Sequence, residues 1–265
     1  MNLRNRGIKS IVTQHTFSPS AIEYNDVLCE YADRVVVPSE LVYKKYRNYG
    51  ANNLSIINAG CNYIDEEVLK RIEPSGKMDN KFVIGFFGFS YFHKGLHKLI
   101  EAFSKLSKNY NNLFLFILSN KPAGDQQNYY EYCKDLISLY GIKDYLWNDS
   151  YVTELDILKI LSNCNLIVLP YSEYGGYGTS AAIRTCMSVN KPILVSDVSW
   201  FSDVPENVVI KYKDNNLESA ISHLLHGYDF NVYLSNMKEY VYNNRWENCA
   251  KKHIELYDDL IGIKI

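Results

Sequence analysis

A series of short, wholly apolar segments, separated by segments of helical periodicity, most constrains the fold of this chain. Leu113–Leu118 (LFLFIL) and Leu166–Pro170 (LIVLP) contain no polar residue, whereas Leu96–Leu106 spaces its apolar residues three or four positions apart. A strand that is apolar on both faces is buried between two layers of helices, which is typical of parallel sheets. The alternation therefore predicts an α/β fold with a doubly wound, Rossmann-like parallel sheet.

The same rules predict the other elements and a boundary. The strand candidates are Ser10–Thr13, Arg34–Val37, Leu54–Ile57, Phe82–Phe87, Leu113–Leu118, Leu166–Leu169, Ile193–Val195 and Val208–Ile210. The helix candidates are Leu96–Leu106, Gln127–Tyr140, Glu154–Leu161 and Leu217–Leu225, with one or two helices over 231–265. Pro, Ser, Gly and charges interrupt this periodicity at 73–80. We therefore expect a partial N-terminal unit at 1–77, a complete sheet at 78–240, and a closing helix at 241–265 that packs back on the N-terminal unit.

Composition excludes several classes of function. A formal net charge of −2 over 265 residues provides no basic surface for a nucleic acid. The six cysteines include no C-x-x-C pair, which speaks against a zinc knuckle and favours a reduced, cytoplasmic compartment. The histidines show no metal-ligand spacing and are read as solvated helix positions, with His93 beside Lys94 the exception to test. The 23 tyrosines are consistent with biased codon usage or with a surface that stacks carbohydrates or nucleotides.

The first motif with chemical content lies within residues 84–103. A buried strand runs into Gly88, and a short loop leads to Lys94, Gly95 and an amphipathic helix. Glycine lets backbone approach a ligand, the following helix N-terminus favours an anion, and a lysine there adds a charge suited to phosphate. The alternative is a plain strand–turn–helix with a solvated lysine. The segment is neither a dinucleotide fingerprint nor a P-loop.

The second motif lies within residues 166–197. A buried strand ends at Pro170 and is followed by Glu173, a loop rich in Gly and Tyr, and either Thr179 or Ser180 as the N-cap of a helix. Arg184 lies one turn into that helix, where its guanidinium would reach phosphate oxygens or a carboxylate. Since both motifs follow parallel strands, their helix N-termini are expected to face one crevice, with a pyrophosphate between them.

Together these residues resemble the retaining glycosyltransferases of the GT-B fold, family 4 (glycosyl transferases group 1). That family shows G-R-x4-K-G after one strand, then P-S-x-x-E-x-F-G, a helix and G-x-P-V after another. This chain has Gly88 followed by Lys94-Gly95, then P-Y-S-E from Pro170, and K-P-I from Lys191. The segments 32–40, 54–62 and 245–261 resemble other parts of the family in the right order. The resemblance implies a complete C-terminal nucleotide-sugar-binding domain, with the acceptor-side N-terminal domain shortened.

The resemblance also implies roles for individual residues at the donor. Lys94 would contact the donor's phosphates, Glu173 would contact a hydroxyl of the transferred sugar, and Gly88 would cradle the pyrophosphate. The loop that completes this cradle would comprise Gly176, Gly178, Thr179, Ser180 and Ala181.

The resemblance places three further residues around the donor. Tyr151 and Val152, before a T-x-x-D cap at 153–156, would hold the base by backbone and apolar contact; the alternative is an ordinary strand end. His15 matches a histidine that ends a first-domain strand near the reacting sugar. The alternative for His15 is a loop or core histidine.

Two departures from the family pattern affect the donor site. Phe89 stands where the family has an arginine after Gly88, which removes one cation. Counting eight residues from Glu173 leads to Ala181, so the second glutamate of the family is missing. We expect Arg184 to substitute by contacting phosphate, and we expect no metal ion and no cofactor besides the donor substrate.

The resulting hypothesis is a glycosyltransferase that moves a sugar from a nucleotide-diphosphate sugar to a glycan, lipid or protein acceptor, with retention. One alternative is a non-catalytic module, either a donor-binding remnant or a subunit that needs a partner chain for the acceptor site. A nicotinamide-dependent oxidoreductase is disfavoured because the glycine fingerprint is absent. Peripheral membrane contact is allowed by the resemblance, but equal numbers of basic and acidic residues in 1–80 do not favour it.

Overall fold

The computed structural model describes residues 7–71, 80–122, 124, 127–213 and 216–262. The predicted boundary at 77–78 and all but the last residue of 73–80 lie outside these ranges. Within the described ranges, no helix is long and apolar enough to cross a membrane. Two parallel sheets, one larger than the other, organise this part of the chain.

Strands and helices alternate as the apolar pattern predicts. In the described residues the strands are β1 (Ile11–Thr13), β2 (Thr16–Phe17), β3 (Arg34–Val37), β4 (Leu54–Ile56), β5 (Phe82–Phe87), β6 (Leu113–Leu118), β7 (Tyr145–Asn148), β8 (Leu166–Leu169), β9 (Tyr177–Gly178), β10 (Ile193–Ser196) and β11 (Ile210–Tyr212). The helices are α1 (Ile22–Tyr31), α2 (Glu40–Asn48), α3 (Glu66–Arg71), α4 (Leu96–Leu106), α5 (Gln127–Leu139), α6 (Glu154–Ser162), α7 (Ala181–Met187), α8 (Leu217–Leu225), α9 (Asn231–Asn243) and α10 (Trp246–Ile261).

The larger sheet has the strand order β11-β10-β8-β5-β6-β7, and all its pairings are parallel. The chain leaves β5 toward β6 and β7, then crosses to the other side of β5 with β8. The strand order therefore reverses between β5 and β8. In doubly wound sheets, ligands bind outside the carboxyl ends of the strands at this switch point.

Both faces of the larger sheet are buried, which explains its wholly apolar strands. In β6, Leu115 and Ile117 belong to a core formed with α4, α5 and α8. Phe116 and Leu118 belong to a second core, formed with α6, α7 and α9. Because neighbouring residues of a strand point to opposite faces, a strand between two helical layers needs apolar residues at every position.

The smaller sheet has the order β1-β3-β4 and is also parallel. α1 and α2 contribute to its core, in which the Tyr46 side chain is fully buried and its hydroxyl donates to Asn25 Oδ1 at 3.2 Å. β1 ends two residues before His15, so the carboxyl edge of this sheet carries a predicted site residue.

Two connections hold the sheets together. β2 pairs antiparallel with β9, with Thr16 opposite Gly178, which places the end of β1 beside the loop that follows β8. Where the chain passes from the smaller to the larger sheet, the backbone of Cys61 forms an isolated parallel β-bridge with that of Arg245. Beside it, Trp246 Nε1 donates to Asn62 Oδ1 at 2.8 Å. We call the region where the carboxyl edge of the smaller sheet meets the loop after β8 the cleft.

Three details differ from the expectations. β11 begins at Ile210 rather than Val208, because Val208 and Val209 are buried in the approach to the strand and so mimic strand residues. β7 was not predicted, since it is a partly exposed edge strand without an apolar run. His97 is not solvated: its Nδ1 lies 2.7 Å from the Tyr129 hydroxyl.

Candidate functional site

A cavity of about 510 Å³ opens at the switch point of the larger sheet. Its lining comes from the carboxyl ends of β5, β6 and β7 and from the start of α7. The lining residues are Phe87, Gly88, Phe89, Lys94, Leu118, Asn120, Tyr151, Val152, Ile157, Ala181, Ala182 and Thr185. We call this space the switch-point cavity. It gathers Gly88, Phe89, Lys94, Tyr151, Val152 and Ala181 from the predicted site residues.

Gly95 determines how Lys94 enters this cavity. Lys94 ends a 3-10 helix (Phe92–Lys94), and Gly95 follows with φ of 71°. A Cβ atom on Gly95 would lie 1.9 Å from the Pro170 carbonyl oxygen, which follows β8. Only glycine combines this left-handed conformation with so close an approach. The Lys94-Gly95 pair thus packs the loop after β5 against the end of β8.

The Lys94 ammonium is a desolvated cation. Its Nζ lies 4.0 Å from the centroid of the Tyr171 ring, a cation–π contact. Burial lowers the pKa of Lys94 to about 8 and is the sole cause of the shift. Among the described residues, no carboxylate forms an ion pair with it. A half-buried cation without a counter-charge favours an anionic ligand.

Gly88 and α7 form the wall opposite Lys94. Gly88 has φ of 140°, and a Cβ atom there would lie 3.9 Å from Ala182 Cβ. Of the two expected candidates, Ser180 is the N-cap of α7. Its hydroxyl accepts from Ile183 N at 3.4 Å and contacts the Tyr171 hydroxyl at 3.1 Å. Thr179 is partly exposed and does not cap the helix. The first turn of α7, with backbone N–H groups that have no intrahelical partner, therefore borders the cavity.

The other end of the cavity is wide and apolar. The Tyr151 side chain is 90% exposed, and Val152 and Ile157 form the floor beside it. The expected cap of α6 is present, because Thr153 Oγ1 accepts from Asp156 N at 3.2 Å. An exposed ring above aliphatic side chains suits a flat ligand such as a nucleotide base.

Sequence reasoning missed two polar residues of this cavity, Asn120 and Thr185. Asn120 follows the carboxyl end of β6 by two positions, so the rule that ligands bind at strand ends would have identified it. Thr185 lies one helical turn after Ala181, and nothing in the local sequence distinguishes it.

The structure does not bring Glu173 into the switch-point cavity. Its carboxylate accepts from the backbone N–H and the hydroxyl of Ser199, both at 2.6 Å. Glu173 borders a separate cavity of about 560 Å³ between α4 and α8. In this structure the Glu173 carboxylate is therefore not positioned to contact a sugar beside Lys94, because it is hydrogen-bonded to Ser199.

Arg184 requires a correction. Its guanidinium is buried and forms an ion pair with Asp203, donates to the Tyr240 hydroxyl at 2.7 Å and approaches Cys61 Sγ at 3.7 Å. These partners leave it no approach to the switch-point cavity, which it does not line. The expectation that Arg184 contacts the donor phosphate therefore does not hold in this structure.

Two glycines of the loop after β8 face β2 and His15, which precedes it. A Cβ atom on Gly176 would lie 3.1 Å from the Phe17 carbonyl oxygen. A Cβ atom on Gly178 would lie 2.7 Å from Thr16 Cγ2 and 3.1 Å from the His15 carbonyl oxygen. The glycines thus permit the β2–β9 pairing, and they bring the exposed His15 to the cleft.

These features define a class of protein. A doubly wound parallel sheet joined to a second parallel sheet is the architecture of the GT-B glycosyltransferases. The family model of glycosyl transferases group 1 matches residues 69–243, more than half of the chain, and the chain belongs to this family.

Comparisons with known proteins agree with this assignment. An uncharacterized glycosyltransferase of Methanocaldococcus jannaschii is 25% identical over 199 residues, which cover 72% of this chain and 48% of that relative. The chain thus spans about half the length of this curated relative.

Two solved structures show the same fold. Sucrose-phosphate synthase of Thermosynechococcus elongatus has a TM-score of 0.77 and 18% identity, covering 99% of this chain and 71% of its own. HepE of Anabaena, in complex with UDP, has a TM-score of 0.80 and 14% identity, covering 97% of this chain and 74% of its own. Another crystal structure of HepE contains UDP-glucose.

Proposed function

We propose that the protein transfers a sugar from a nucleotide-diphosphate sugar to a hydroxylated acceptor, with retention at the anomeric carbon. The observation that carries this proposal is the Lys94 ammonium, which is desolvated, faces the switch-point cavity and has no carboxylate partner in the described residues. Family membership and the UDP complexes of a structural neighbour support a nucleotide-sugar donor. Retention follows from the family resemblance.

In the proposed reaction, Lys94 acts on the leaving group. The bond between the anomeric carbon and the donor phosphate oxygen breaks, and its electron pair remains on the nucleoside diphosphate. Lys94 stabilises this charge as it develops. The acceptor oxygen bonds to the anomeric carbon and its proton passes to the departing phosphate or to water. Such charge stabilisation needs no metal ion, and metal independence remains part of the proposal.

The remaining residues position the donor at its two ends. Gly88 lets the pyrophosphate approach the backbone, whereas Tyr151 and Val152 contact the base, with Phe89 at the cavity mouth. We assign His15 to the side of the reacting sugar, since its backbone reaches Gly178 at the cleft.

The test is a calorimetric titration with UDP-, GDP- and ADP-sugars against the wild type, Lys94→Ala and Lys98→Ala. Lys98 is the matched control, because burial also lowers its pKa but it borders the separate cavity. Loss of a charge-assisted phosphate contact is expected to weaken binding by about 10- to 100-fold in Lys94→Ala only. If no nucleotide sugar binds the wild type, the proposal is wrong.

A second candidate function is a donor-binding subunit that acts with a partner chain. Phe89 and Ala181 stand where the family pattern has two charged residues, which the donor site of this chain therefore lacks. Release of nucleoside diphosphate in a coupled assay distinguishes the two. Donor binding without release, in the presence of an acceptor panel, would favour the subunit.

A further inference from the structure

A row of aromatic rings begins with Phe89 and leads away from the switch-point cavity, and its other members take no part in the proposed reaction. Phe89, at the cavity mouth, lies 5.7 Å from Tyr91 between ring centroids, and Tyr91 stacks on His93 at 5.8 Å. His93 in turn stacks on Tyr174 at 5.0 Å and on Trp200 at 5.9 Å. We call Phe89, Tyr91, His93, Tyr174 and Trp200 the aromatic row.

Backbone contacts fix this row on the wall of the cleft. Ser172 N donates to the His93 carbonyl oxygen at 2.8 Å, which joins the loop after β5 to the loop after β8. A Cβ atom on Gly178 would lie 2.9 Å from the Trp200 ring and 3.1 Å from the His15 carbonyl oxygen. The row therefore extends from the donor end of the cleft to the carboxyl edge of the smaller sheet.

Part of this aromatic surface is open to solvent. The Tyr174 side chain is 59% exposed although one ring face is backed by His93, and Phe89 is 56% exposed. A large exposed apolar surface beside a reaction site marks a place for a ligand. Burial and the neighbouring Lys94 lower the pKa of His93 to about 4, so this ring is neutral near pH 7.

We propose that the aromatic row is a stacking platform for a pyranose ring of the acceptor, with Tyr174 as the central contact, and that the acceptor is therefore a glycan. The C–H groups on one face of a pyranose carry small positive partial charges, which match the negative face of an aromatic ring. The hydroxyls at the ring edge stay free to bond polar groups. This inference rests on the proposed function.

The composition of the row argues against a lipid tail. All five of its members are rings, four of the five carry a polar ring atom or hydroxyl, and no aliphatic side chain belongs to it. A surface for acyl or prenyl chains needs aliphatic side chains, and one for anionic headgroups needs several cations. The 23 tyrosines were as consistent with biased codon usage as with a stacking surface, and the sequence could not locate such a surface.

The test is saturation-transfer difference NMR with UDP-saturated protein and a panel of methyl glycopyranosides. We expect saturation of the ring hydrogens on one face of at least one glycoside. Tyr174→Ala should weaken that binding about tenfold, whereas Tyr174→Phe should retain it. Tyr242→Ala is the control, because Tyr242 is 48% exposed, has one aromatic neighbour, Tyr63, and lies on α9.

The outcomes separate this inference from the proposed function. Donor affinity is measured on the same samples by calorimetry, and Tyr174→Ala should leave UDP affinity within about twofold. If UDP-sugars bind but no glycoside is saturated, or if Tyr242→Ala and Tyr174→Ala weaken glycoside binding equally, the platform is wrong while the donor site stands. Transfer to a polyprenyl phosphate that Tyr174→Ala leaves unchanged would also overturn it.

Discussion

The two loops that flank the switch point both carry charged residues, but they differ in whether those residues have protein partners. In the loop after β5 (residues 88–95), the predicted cation, Lys94, faces the cavity and has no counter-charge in the described residues. In the loop after β8 and the start of α7 (residues 170–184), Glu173 and Arg184 are both held by other protein groups. A charged residue near a helix start is thus a ligand candidate only when the fold leaves it unpaired.

The largest effect is expected at the Arg184–Asp203 pair. Removing one partner of a buried ion pair leaves an uncompensated charge, so Arg184→Ala should lower the free energy of unfolding by about 3–5 kcal/mol in urea denaturation. The double variant Arg184→Met, Asp203→Leu should recover most of this loss, because it removes both charges. If Arg184→Ala keeps its stability but loses donor affinity, Arg184 is a phosphate ligand and the contrast between the loops disappears.

Gly95→Ala tests the packing of the two loops against each other. The left-handed backbone alone costs about 1–2 kcal/mol for alanine, and the collision with the Pro170 carbonyl oxygen adds to it. Gly141→Ala is the matched control, since Gly141 has φ of 61° but open space around its Cβ position. Thermal unfolding should show a larger loss for Gly95→Ala. Equal losses would mean that the loops do not constrain each other.

The pH dependence of donor affinity tests Lys94 itself. Because burial lowers the pKa of Lys94 to about 8, the side chain is charged below that pH and becomes neutral above it. An anion favours the charged form, so the affinity for a UDP-sugar, whose diphosphate does not titrate in this range, should be level below pH 7 and fall about tenfold by pH 9. Calorimetry across this range should show that the affinity of the wild type falls, whereas the affinity of Lys94→Ala does not change with pH. A fall that persists in Lys94→Ala would assign it to another group.

The smallest effect is expected at Glu173. Because Ser199 holds the carboxylate at an exposed position, Glu173→Gln should change donor affinity less than threefold and stability by less than about 1 kcal/mol. Ser199→Ala is the control, because it removes the hydrogen bond from the Ser199 hydroxyl to the Glu173 carboxylate. A variant that binds donor normally but loses transfer would show that Glu173 leaves Ser199 during the reaction, as the family resemblance implies.

Residues close in sequence were predicted well, whereas partners distant in sequence were not. The wholly apolar β6 and β8 and the Lys94-Gly95 turn follow from local pattern, because burial on both faces and a left-handed turn impose their own residue types. Asp203 lies 19 residues from Arg184, and Ser199 lies 26 residues from Glu173. No sequence periodicity connects residues this far apart, so Arg184 and Glu173 were predicted to contact the donor instead.

The glycines of the loop after β8 illustrate the same limit. The family resemblance implied that they bind the pyrophosphate, yet Gly176 and Gly178 make room for Phe17 and Thr16 of β2. A glycine signals a close approach of backbone but does not say what approaches.

The sequence by itself determined the parallel sheet and the lysine that follows β5, because apolar periodicity and turn chemistry act over a few neighbouring residues. Only the tertiary structure decided which charged groups remain free, since ion pairs form between segments that the fold brings together. It also placed the exposed Tyr174 ring, His15 and the switch-point cavity along one cleft. That placement depends on the β2–β9 pairing, which joins two segments about 160 residues apart and has no local signal.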